Sequence, residues 1–135
     1  MELHLKIIGL LLICLALIHV EFPKYFNWEV ELSKLSLINR QMTYIHTLFL
    51  ALVLLLMGIL CLTSSRDLAT TPLGKRLMLG FGLFWFLRLI VQFFGYSSTL
   101  WRGKKFETIV HILFVFLWTY LSFVFLFIYW ANNGI

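Results

Sequence analysis

The chain alternates long apolar runs with short polar connections. Continuous apolar stretches cover residues 7–20, 42–63, 77–94 and 108–130. The first reaches back to residue 3 if the Lys6 stem lies along apolar surface and carries its charge out to water. Nothing in these runs has the two-residue alternation of a half-buried strand. Only helices and closed barrels can cross lipid, because every backbone polar group there must be satisfied within the structure. Continuous runs near the ~17–25 residues that a crossing needs select helices. The expected fold is therefore all-α: an integral membrane four-helix bundle with up-down topology. It forms one domain over residues 1–135, with spans at about 3–20, 42–63, 77–94 and 108–130.

The connections carry their own patterns. Residues 21–41 are polar, yet Trp28, Leu32, Leu35 and Ile38 recur at three- and four-residue steps, with Glu29, Glu31, Ser33 and Lys34 between them. This spacing predicts a short amphipathic helix lying along the membrane interface between helices one and two. Phe22, Tyr25, Phe26 and Trp28 suit head-group depth, and Pro23 is expected to end the first helix. Asn39, Arg40 and Gln41 stand just before the second run and read as a capping segment that also lies within reach of the polar residues discussed below. Segment 101–105, Trp101 included, reads as a head-group anchor, and Asn132, Asn133 and Gly134 close the fourth run. A basic residue before a short apolar run also describes a signal peptide, but residues 16–23 lack a small-x-small cleavage site, so the first helix is expected to be retained.

Composition strengthens the membrane reading. The chain is 61% hydrophobic and only 13% charged, with a mean hydropathy of +0.94. Soluble domains are nearer half apolar and a quarter charged, and a domain this small cannot hide such an excess from water. The net charge of +5 does not imply nucleic acid. The basic residues lie in loops between spans, where anionic head groups account for them, and no basic stripe stands clear of the membrane. Cys14 and Cys61 both sit inside apolar runs and read as small core residues rather than a disulfide.

The candidate chemistry comes from polar residues near one membrane face. With four spans, the loop after helix one and the loop after helix three share a face. His19 ends helix one, His46 begins helix two, His111 begins helix four, and Gln92 lies near the end of helix three with Arg88 one turn deeper. At 100° per residue, four stripes are expected to turn inward. They are Gly9, Leu12, Ala16 and His19; Thr43, His46, Leu50, Val53 and Met57; Trp85, Arg88, Gln92 and Tyr96; and Glu107, His111, Trp118 and Ser122.

Arg88 is the strongest signal, because a charge inside a span costs at least ~2.5–3.5 kcal/mol and so faces a partner. It serves as a contact for an anion or substrate, as half of a structural ion pair with Glu107 or Glu21, or as a residue that snorkels to the interface. His19, His46 and His111 could hold a metal ion through an open three-histidine site. His46 and His111 alone could ligate a haem. Each histidine could equally be a satisfied interfacial residue, and no HxxxH, HExxH or CxxC spacing is present.

No motif ties the chain to a family with a known activity; its size and layout resemble small bacterial membrane proteins, which implies a bacterial inner membrane. Three functional readings follow. One is a membrane-embedded binding or redox subunit built on the His19, His46, His111, Arg88, Gln92, Glu107 and Arg40 cluster. Another is a non-catalytic accessory or scaffold subunit of a larger membrane complex. A third is a small transporter or lipid-handling protein, which with four spans requires a homo-oligomer.

Overall fold

The computed structural model describes residues 2–96, 98–100 and 102–133, and for Ser98, Asn132 and Asn133 the backbone alone. Trp101 and Gly134 lie outside the described residues. The helices are α1 (Glu2–Tyr25), α2 (Trp28–Glu31), α3 (Leu37–Thr63), α4 (Ser65–Thr70), α5 (Pro72–Phe94) and α6 (Lys105–Asn133), with a 3-10 turn at Ser98–Leu100. Four of these, α1, α3, α5 and α6, are long and apolar enough to cross a membrane. They form two helical hairpins, one from the described residues of 2–65 and one from those of 66–133.

In the first hairpin α1 packs against α3. The buried face of α1 is Leu5, Ile8, Gly9, Leu12, Leu15 and Ala16, the three- and four-residue spacing of one helical stripe. A Cβ on Gly9 would meet the Gly58 carbonyl at 2.7 Å, and a Cβ on Gly58 would meet the Gly9 carbonyl at 2.8 Å and Ile13 beyond it. Later positions on α1 thus meet earlier positions on α3, so the pair is antiparallel. Lipid offers no hydrophobic drive for helices to associate, so close van der Waals packing at small residues must supply the attraction.

Several boundaries differ from those the pattern predicts. Pro23 lies inside the last turn of α1 instead of ending it. So near the helix end its missing N–H costs one bond to the preceding turn and little else. Asn27 makes the break by adopting the left-handed conformation at φ 53°, which Asn tolerates better than most side chains. The amphipathic segment shortens to the single turn of α2, and Leu32, Leu35 and Ile38 fall outside it. Helix α3 begins at Leu37, and its N-cap is Ser36, whose hydroxyl accepts from the Asn39 amide. Asn39, Arg40 and Gln41 therefore lie within the first two turns of the helix rather than forming the cap. Trp28 meets Tyr44 edge-on at 5.5 Å, tying α2 to the start of α3.

The buried stripe of α3 is Ala51, Leu54, Gly58 and Cys61. The expected stripe of His46, Leu50 and Val53 is rotated away from it: His46 is exposed, and Leu50 and Val53 are 42% and 49% exposed. The Gly58 contact sets this phase, because only a residue without a side chain allows the α1 backbone so near.

The second hairpin begins with α4. Thr71 caps α5 by accepting from the Gly74 amide at 3.0 Å, and Pro72 occupies the first helical turn, where its lack of an N–H is harmless. Helix α5 packs against α6. Its buried residues Gly74, Met78, Gly82, Trp85 and Gln92 form one stripe. Gly82 lies against Leu126, Phe81 meets Phe125 edge-on at 5.5 Å, and Trp85 stacks on Trp118 at 5.1 Å and 12°. The pairing is again antiparallel, and the Trp85–Trp118 stack is the floor of the polar site.

Candidate functional site

The polar site lies where the end of α5 meets the first half of α6. Gln92 is its centre and is only 6% exposed. The Gln92 amide nitrogen lies 2.8 Å from His111 Nδ1. Its oxygen accepts from the Trp118 indole Nε1 at 3.2 Å and from Arg88 Nη1 at 3.4 Å. Indole and guanidinium groups can only donate, so the amide oxygen must face them and the amide nitrogen must face the imidazole. Nδ1 of His111 then acts as acceptor, and this hydrogen-bond logic assigns the ring proton to Nε2.

Arg88 is half-buried. Its second terminal nitrogen donates to the Tyr96 hydroxyl at 3.4 Å. The guanidinium carbon stands 4.9 Å from the Trp118 ring centroid and 5.5 Å from that of Tyr96, within cation–π range. Every partner of Arg88 among the described residues is neutral. Glu107, a suggested ion-pair partner, is exposed in the first turn of α6, where it complements the positive end of that helix.

Phe114 stacks on Trp118 at 5.4 Å and Phe93 meets His111 edge-on at 6.3 Å, which encloses the polar groups in aromatic surface. Trp85 is buried at 2% exposure, and its indole N–H has no hydrogen-bond partner.

The structure thus brings Arg88, Gln92 and His111 together and adds Trp118 and Tyr96. Both aromatics stand on the stripes read from the sequence, but their hydrogen-bonding roles had no signal beyond that phase. His19, His46 and Arg40 belong to the first hairpin. His19 Nδ1 bonds the Leu15 carbonyl one turn back at 2.8 Å, and its ring tilts against Phe22 at 4.6 Å. His46 is exposed on α3, and Arg40 is half-buried in its first turn. Within either hairpin, no three His, Cys, Asp or Glu side chains among the described residues are grouped to hold a metal ion.

Comparison with protein families, with curated proteins and with solved structures gives no match. Hydropathy and helix length alone define the class: this is a small multi-pass membrane protein, with four apolar helices of membrane length among the described residues.

Proposed function

We propose that the protein is a membrane-embedded binding subunit, with Arg88, Gln92, His111 and Trp118 as its recognition site for a carboxylate. One observation carries this reading. A guanidinium sits within a span-length helix, and its partners among the described residues are all neutral, two of them at 3.4 Å. A charge in such a setting is costly unless something offsets it, and a carboxylate accepts the planar fork of an arginine in bidentate fashion. Gln92 and Tyr96 hold the fork in place, and Trp118 covers it.

The test is a titration of the detergent-solubilised protein with oleate and with oleyl alcohol, followed by tryptophan emission, to which Trp85 and Trp118 contribute among five tryptophans. Oleate is expected to give a saturable change that oleyl alcohol does not, and Arg88→Gln is expected to remove it. Equal responses to acid and alcohol, or an Arg88→Gln variant that responds like the parent, would overturn the reading.

A second reading has its own support: the Gln92 bonds to His111 and Trp118 tie α5 to α6, as a scaffold subunit needs. Native co-purification separates the two, since a scaffold retains a protein partner whether or not the carboxylate site is intact.

A further inference from the structure

At the far end of the second hairpin, about 20 Å along α5 from Arg88, lies a groove that the carboxylate site does not use. It has a volume of about 340 Å³ and is lined by Pro72, Lys75, Arg76, Leu79 and Tyr129. That volume falls within the ~300–1,000 Å³ of small-molecule sites. The groove combines two kinds of surface. Pro72 and Leu79 give an apolar wall on a helix of membrane length, and Lys75 and Arg76 place two cations where that helix begins.

Lys75 is half-buried, and its ammonium stands 5.6 Å from the Tyr129 ring centroid. The ring holds the charge at the groove and leaves its donors available, because an aromatic face attracts a cation without accepting classical hydrogen bonds. Neither Lys75 nor Arg76 has a carboxylate partner among the described residues. The nearest acidic residue in sequence, Asp67, is exposed on α4. The helix end itself is not the ligand site, because Thr71 already caps it.

We propose that this groove binds one anionic phospholipid. Its phosphate meets Lys75 and Arg76, and an acyl chain runs down past Leu79. A two-cation mouth above an apolar wall matches an anionic amphiphile and discriminates against a zwitterionic one, whose own cation would meet Lys75 and Arg76. The lipid is a resident of the interface, distinct from the carboxylate proposed at Arg88.

The test is native mass spectrometry of the delipidated protein in detergent, titrated with phosphatidylglycerol, with phosphatidylcholine of the same chains, and with inorganic phosphate. One phosphatidylglycerol is expected to be retained in preference to phosphatidylcholine, with the Lys75→Gln/Arg76→Gln double variant weakened about tenfold or more. Lys75→Arg is expected to keep binding, and Tyr129→Phe to keep it as well, while Tyr129→Leu weakens it. Circular dichroism checks that each variant is folded, and Arg88→Gln is expected to leave the lipid adduct unchanged. Equal retention of both lipids, an unaffected double variant, or displacement of the lipid by inorganic phosphate would each overturn the proposal.

Discussion

Gln92 and His111 share a 2.8 Å hydrogen bond across the second hairpin, and this bond fixes the tautomer of the imidazole. The orientation comes from the other end of the amide, where Trp118 and Arg88 can only donate. In 15N spectra of selectively labelled protein, His111 is expected to show a pyridine-like Nδ1 and a pyrrole-like Nε2. A Gln92→Met variant is expected to lose that preference. The reverse assignment in the parent protein would mean that the amide is turned the other way.

The same amide also contributes to stability. Gln92→Met keeps the side-chain length but removes the partner of the Trp118 N–H and the bond to His111 Nδ1. The expected cost is about 1–2 kcal/mol, since side-chain hydrogen bonds between membrane helices average ~0.6 kcal/mol and an unsatisfied buried group adds to the loss. Thermal unfolding in detergent measures it, with Ile90→Met on the exposed face as the control.

Two glycines, one in each hairpin, are expected to respond in opposite ways. A side chain at Gly58 would run into the α1 backbone, so Gly58→Val is expected to destabilise the first hairpin by at least ~1–3 kcal/mol. At Gly80 on α5, a Cβ would meet nothing within 4 Å. Gly80→Ala is therefore expected to be neutral or to stabilise by up to ~1 kcal/mol through helix propensity. Unfolding midpoints of the two variants check both signs together.

Trp85 and Trp118 are stacked at 5.1 Å and 12°, close enough for their indole transitions to couple. A tryptophan exciton signal is therefore expected in the circular dichroism spectrum. Trp85→Phe and Trp118→Phe are each expected to abolish it, and only Trp118→Phe also removes a donor to Gln92. Persistence of the signal in either variant would place its origin elsewhere.

The sequence by itself determined the class of protein and the location of its four long helices. Hydrocarbon imposes length and continuity on any crossing segment, and both can be counted along the chain. It also carried the alignment of Trp85, Arg88 and Gln92, because a 100° step places them on one face whatever packs there. Helix ends were less legible. Ser36 and Asn27 settle them through a side-chain bond and a left-handed turn, and Pro23 and the Asn39–Gln41 stretch misled because breakers and caps act only in the geometry they find.

Tertiary structure alone decided which residues touch. On α3 the apolar character runs nearly all the way round, so periodicity could not say which face turns toward α1. The closest approach chose it, at Gly9 and Gly58, and carried His46 to the exposed side. Tertiary structure also decided the partners of Arg88. A carboxylate such as Glu107 is the stronger partner by charge, but the fold sets that residue in the exposed first turn of α6. It leaves the guanidinium to an amide, a phenol and an indole, because a partner must be within reach as well as of opposite charge.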